Sequence, residues 1–224
     1  LYISKISELN ALRRESLEKL QALVINKLTR SPVKVNEKSF KNKPRENIKV
    51  SILLSQLNPD FDYTKMEDVN RVYISLRCFL DNKNNNVIND ITSLFNTYLY
   101  LPAVINLNYI NLLDAYIASF TSKYDIKGFV FSTIGQFGAI KDNEKYKDFD
   151  FIGNYTLNVF NNYTIEELSR NGLNTITLSP ELTKRDLQNI VSPANKELIV
   201  YGKLKVMTSK YCLLGKANRL LPYM

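Results

Sequence analysis

The sequence predicts an α/β chain, a (β/α) barrel-like fold of the TIM type, complete or partial, preceded by an N-terminal amphipathic helix. Three observations carry that reading. From Ile48 onward a short β-branched or aromatic run recurs seven times, separated by polar turns and helical patterns; this is the rhythm of parallel strands joined by crossover helices. The runs are near-continuously apolar, as strands covered on both faces are, which favours a closed or nearly closed barrel over an open sheet. No Gly-x-Gly-x-x-Gly follows the first run, which argues against a dinucleotide-binding sheet.

The elements follow in order. Between Ile6 and Leu28, Leu9, Leu12, Leu17, Leu20, Val24 and Leu28 fall on one stripe at helical spacing, so residues 1–30 read as the helix, with Arg13 inside the stripe as a capping, pairing or outward-reaching cation. Residues 31–47 read as a basic linker punctuated by Pro32 and Pro44. The barrel-like domain is assigned to 48–224, with strands expected in "IKVSILLS", "RVYISLR", "TYLYLPAV", "IKGFVFS", "FDFIGNY", "NTITLS" and "ELIVYG". Tyr109, Leu112, Leu113, Tyr116, Ile117 and Phe120 mark one helix, and "TIEELSRNG" another, with Thr164 as its expected N-cap and Gly172 at its C-terminal end.

Composition excludes whole classes of chemistry. The 224-residue chain has no histidine, so Ser-His and Cys-His pairs, imidazole bases and His-x-x-x-His zinc sites are impossible within it. Two cysteines, Cys78 and Cys212, form neither a disulfide framework nor a zinc knuckle, and a reducing cytoplasm fits them. No apolar run approaches the roughly 20 residues that cross a bilayer, so no membrane partner is expected. The net charge of +8 is concentrated: between Lys27 and Lys49 eight basic residues face Glu37 and Glu46, leaving +6 in that segment. Such a stretch is either a solvated linker or a phosphate-contacting one that gains affinity by releasing counterions.

In a (β/α) barrel the loops after the strands share one rim, where the chemistry gathers. Arg77 and Cys78, Pro102, Thr133 with Gln136, Asn154 to Asn158, Ser179 to Glu181 and Tyr201 to Cys212 follow the expected strands in turn. Glu181 is either a base or a first-turn charge favourable to a helix dipole. Asn158, Asn161 and Asn162 offer amides suited to a planar amide or nucleobase edge, or simply to turns. Gln136 lies in "TIGQFG", whose two glycines suit a tight βα turn or a weak phosphate cradle.

Three stretches together resemble peptidase family U32, the collagenase-like proteins: "FIGNYTLNVFNNYTIEEL", "NTITLSPELTKRDL" and "ELIVYGKLKVMTSKYCLLG". The leading "ISELNALRRESLEKL" is similar to the segment that precedes the second, barrel-like region of long members. The resemblance implies the C-terminal region of a long member, with an N-terminal part of the same protein as its partner. The family is catalogued as proteases without known mechanism, and other members act in hydroxylation of transfer RNA, ribosomal RNA or quinone precursors. It therefore implies a scaffold and substrate-binding region of an RNA-modifying, base-hydroxylating enzyme, with RNA as a partner. A collagenase-like peptidase acting on peptide or collagen-like substrates, and a noncatalytic interaction module, are the alternatives.

Residue by residue, Glu181 matches the motif glutamate, Gly202 the strand-end glycine and Cys212 the motif cysteine; Glu181 and Cys212 become the candidate catalytic residues. Arg77, Gln136, Asn158, Asn161, Tyr201 and Gly202 are the candidate substrate-binding residues. The chain departs from the family in having Tyr201 where shorter members have His, and Pro180 where they have Arg. Several members hold an iron-sulfur cluster on four cysteines, which the resemblance places in the full-length protein and not in this chain. No metal ligand is assigned here, and Cys212 is expected to be a buried or half-buried free thiol.

Overall fold

The structure, a computed structural model, describes residues 5–31, 39–41, 47–105 and 107–205, the last without the side chains of 107–111. Cys212, and with it the end of the expected barrel domain, lies outside the described residues, as does most of the basic linker. The chain divides into two compact units, Leu1–Ser39 and Phe40–Met224. The first contains α1 (Ile6–Leu28), whose C-terminal Thr29 turns its hydroxyl back to the Ile25 carbonyl. None of the residues of α1 is buried.

The second unit is built on one parallel sheet in strictly sequential order, β1-β2-β3-β4-β5-β6-β7. It runs β1 (Val50–Leu54), β2 (Val69–Ser75), α2 (Leu76–Phe79), α3 (Asn85–Leu94), β3 (Asn96–Tyr100), α4 (Leu107–Lys123), β4 (Ile126–Phe131), α5 (Ile134–Ile140), β5 (Asp150–Gly153), α6 (Asn162–Arg170), β6 (Thr175–Thr177), α7 (Lys184–Asn189) and β7 (Asn195–Glu197). Seven strands are present, the first six at the expected runs, and the fold is a partial (β/α) barrel preceded by a helix. Among the described residues, no helix is long and apolar enough to cross a membrane.

The last strand departs from expectation. "ELIVYG" contributes only Glu197 to β7, and Leu198, Ile199 and Val200 beyond it are exposed. The cause is pairing. β7 is an edge strand whose register runs Thr175↔Asn195, Ile176↔Lys196 and Thr177↔Glu197, so it is no longer than β6 allows. β6 stops before Ser179-Pro180, because proline has no N–H to continue a ladder. Similarly "RVYISLR" begins earlier, at Val69, and yields to α2 after Ser75, which moves Arg77 from a strand end into a helical turn.

Strand alternation divides the sheet into two unlike faces. Val72, Ile74, Leu99, Phe129, Phe131, Phe151 and Ile176 point outward into the main core, with Ile88, Ile91, Leu113, Ile117, Phe137, Ile165 and Leu168 of the helices. The inward side chains Tyr73, Tyr98, Val130 and Ile152 form a second, smaller cluster with Tyr100 packed against it. The sheet is strongly curled, as distances across it prove. Tyr73 on β2 donates to Glu197 on β7 at 2.7 Å, and Arg71 on β2 donates to Thr175 on β6 at 3.1 Å. Five strand spacings in a flat sheet would separate β2 from β7 by about 24 Å, beyond any such reach.

The ends of α5 and α6 show how local sequence fixes the loops. Thr133 and Gln136 form a reciprocal capping box at the start of α5. At α6 the N-cap is Asn161 rather than Thr164: the side-chain Oδ1 of Asn161 accepts from the Thr164 N–H at 2.9 Å and from its hydroxyl at 3.1 Å. An earlier residue with an equally good cap side chain starts the helix one turn sooner. Gly172, at φ +112°, ends it as expected, with Leu173 N–H to the Leu168 carbonyl and Gly172 N–H to that of Ser169, a Schellman pair.

Candidate functional site

The carboxyl ends of β3 to β6 meet in a rim of neutral hydrogen-bonding groups. Asn154, only 4% exposed, follows β5 and donates its amide to the Tyr100 hydroxyl at 2.6 Å, to Ser132 Oγ at 3.0 Å and to Thr156 Oγ1 at 3.2 Å. Its carbonyl oxygen accepts from the Tyr155 N–H at 2.8 Å. Ser132 in turn donates to the Leu101 carbonyl, so one amide ties β3, β4 and β5 together. Burial, together with the neighbouring Tyr155 hydroxyl, raises the Tyr100 phenol above its ordinary range, and the hydrogen bonds from Asn154 and Ser132 only partly offset it. Tyr100 is therefore a neutral donor and acceptor at physiological pH.

A second corner joins the loops after β5 and β6. Asn158 sits in the left-handed region at φ +55°, a conformation asparagine tolerates better than most residues, and its carbonyl oxygen accepts from Ser179 Oγ at 3.0 Å. The Ser179 N–H donates to the Val159 carbonyl at 3.1 Å. Ser179 Oγ then accepts from the Glu181 N–H at 3.3 Å, fixing the backbone from which the exposed Glu181 side chain projects. Asn161 is spent on capping α6.

The other candidates are distributed as follows. Gln136 is 3% exposed, and its amide accepts from the Ser132 and Thr133 N–H groups and donates to the Pro102 carbonyl at 2.6 Å. It thereby locks the loops after β3 and β4. Arg77 is exposed on α2. Cys78 is buried, its thiol facing the Ser55 carbonyl at 3.5 Å, and burial raises its pKa despite the opposing influence of Arg77. Tyr201 is 96% exposed and Gly202 adopts φ +126°, beyond the end of β7. Cys212 lies outside the described residues.

Below the rim the lumen carries polar and aromatic side chains that are not among the candidate site residues. Tyr73 donates to Glu197, which also accepts from Thr177 Oγ1 at 2.9 Å, and Tyr98 donates to Asp150 at 2.9 Å. Burial first, then the Glu197 carboxylate, drives the Tyr73 phenol well above its ordinary range, and burial pushes Tyr98 up to about 12. The signal was there in "RVYIS" and "TYLY", where polar and aromatic side chains alternate with Val, Ile and Leu.

A strand-ordered partial (β/α) barrel with a polar rim at its carboxyl ends defines the architectural class. A solved structure of this class, the U32 peptidase Mk0906, superposes with a TM-score of 0.55 at 11% identity, over 75% of this chain and 72% of that one. This chain thus has a U32-like fold. No protein-family model matches the sequence, and no curated protein matches it.

The iron-sulfur cluster carried by several U32 proteins does not fit this chain's own residues. Four thiolates are needed, the sequence has two cysteines, and the thiol of Cys78 is packed against a backbone carbonyl.

Proposed function

We propose that this chain is the barrel region of a U32-type protein that modifies RNA by base hydroxylation, and that its rim binds the substrate and frames the reacting centre. The observation that carries the reading is the Asn158–Ser179 hydrogen bond at 3.0 Å. It joins two of the three stretches that resemble the U32 family, across 21 residues of sequence, into one corner beside Glu181. Neutral amides, hydroxyls and phenols there suit the donor and acceptor edge of a base, and the basic segment between Lys27 and Lys49 suits a phosphate backbone. In this reading Asn158 and Tyr100 orient the base, Glu181 moves a proton at the rim, and the cluster chemistry belongs to another part of the protein.

The test is to delete the gene and measure hydroxylated bases in ribosomal and transfer RNA, then to complement with Glu181→Gln and Asn158→Ala. Loss of one hydroxylated base on deletion, restored by the wild type and not by E181Q, supports the proposal; unchanged RNA on deletion overturns it. Peptide hydrolysis is favoured by one observation, that the structurally similar Mk0906 is described as a peptidase. Cleavage of gelatin by the purified protein, abolished in E181Q, would establish that reading instead.

A further inference from the structure

The opposite mouth of the barrel, at the amino ends of β1 to β5, holds a cleft of about 430 Å³, within the size range of small-ligand sites. Its lining is mostly polar, with three cations and two carboxylates contributed. Two of these charges are half-buried and have no ion-pair partner among the described residues. Arg71 donates to Thr175 at 3.1 Å and lies over the Tyr98 ring at 5.5 Å, yet among the described residues no carboxylate stands within ion-pairing distance of it. Glu197, the carboxylate that bears on it electrostatically, is held by Tyr73 and Thr177. Asp150 accepts from Tyr98 at 2.9 Å and from Asn174 at 3.1 Å, and no cation pairs with it among the described residues.

Half-buried charges normally find opposite partners, because removing them from water is costly. Here a guanidinium and a carboxylate line one cleft, each fixed by neutral neighbours and each with hydrogen-bonding capacity left over. The Tyr98 phenol bridges them, its face under Arg71 and its hydroxyl on Asp150. We propose that this cleft binds a small polar zwitterion of the α-amino acid class, the ligand's carboxylate on Arg71 and its ammonium on Asp150. Asn70 and Asn96, also in the lining, supply amides for a polar ligand side chain. The site lies at the other end of the strands from the rim and does not depend on the function proposed for it.

Matched probes test it. L-glutamine carries both charges, glutaramate lacks the ammonium, and 4-aminobutanamide lacks the carboxylate. Titrated into the 224-residue protein and followed by backbone amide NMR shifts, glutamine should bind at least tenfold more tightly than either analogue, with the shifts at the starts of β2, β3 and β5. Asp150→Asn should reduce glutamine affinity to that of glutaramate and leave glutaramate unaffected; Arg71→Gln should abolish binding of both. Equal affinity for all three probes, shifts confined to the rim, or no binding of glutamine by the wild type would overturn the proposal. A native amide spectrum of each variant shows that loss of binding is not loss of fold.

Discussion

Gly128 shows how one missing side chain shapes the lumen. It sits in register between Tyr98 on β3 and Asp150 on β5, and the Tyr98 hydroxyl crosses to reach Asp150 at 2.9 Å. A Cβ at Gly128 would stand 2.1 Å from the Asp150 carbonyl oxygen and 2.9 Å from its Cβ. Backbone cannot yield as a flexible side chain can, so Gly128→Ala should destabilise the barrel by about 3 kcal/mol, at the upper end of ordinary overpacking. Urea denaturation read by circular dichroism checks this, and an unchanged midpoint would refute it. Tyr98 itself predicts a pH effect. Its folded pKa, about 12 against an ordinary 10.0, is raised by burial, so the neutral phenol is the form that folding favours. That stability is complete below pH 10 and is lost as pH rises from 10 through 12. In Tyr98→Phe the alkaline loss should be smaller, and phenolate absorbance should show one late-titrating tyrosine fewer among the 14 in the sequence.

At the level of elements, α6 carries its start and stop signals in single residues. Asn161→Ala removes the acceptor for the Thr164 N–H and hydroxyl and should cost about 1 kcal/mol. Gly172→Ala forces an L side chain into φ +112° and should also destabilise, although nothing crowds the new methyl closer than Phe137 at 4.0 Å. If thermal denaturation shows N161A unchanged and Thr164→Ala strongly destabilised, the cap assignment is wrong. The C-terminal end of this helix was legible because glycine has one evident use there. Its start was not, since Asn161 and Thr164 are both good caps and only the path of the chain after Asn158 decides between them. Strand existence was legible from β-branched and aromatic runs in β1 to β6, whereas β7, Asn195–Glu197, has none of these residues. Strand ends were not: β7 stops at Glu197 because of what β6 can pair with, a long-range cause that Leu198, Ile199 and Val200 do not announce.

For the whole molecule, the sequence showed that the strands were parallel and sequential, and it collected Asn158, Ser179 and Glu181 at one rim. It did not show that inward positions would be joined by hydrogen bonds across the lumen, because those bonds depend on the curl of the entire sheet. That curl yields the last prediction. Among the described residues no strand pairing closes β7 onto β1, and the Tyr73–Glu197 and Arg71–Thr175 bonds are the side-chain links between the two flanks. Hydrogen bonds to a charged group contribute about 1.5–3 kcal/mol, and Glu197 sits at the end of a three-residue edge strand. In Tyr73→Phe, the amides holding β7 should therefore exchange faster with solvent, notably the Leu178 N–H bonded to the Glu197 carbonyl and the Asn195 N–H bonded to that of Asn174. Amides between β3 and β4 should keep their protection. Local opening of this kind draws on the least supported part of a structure, so uniform acceleration across the sheet, or none in β7, would show that the two flanks hold together without the phenol.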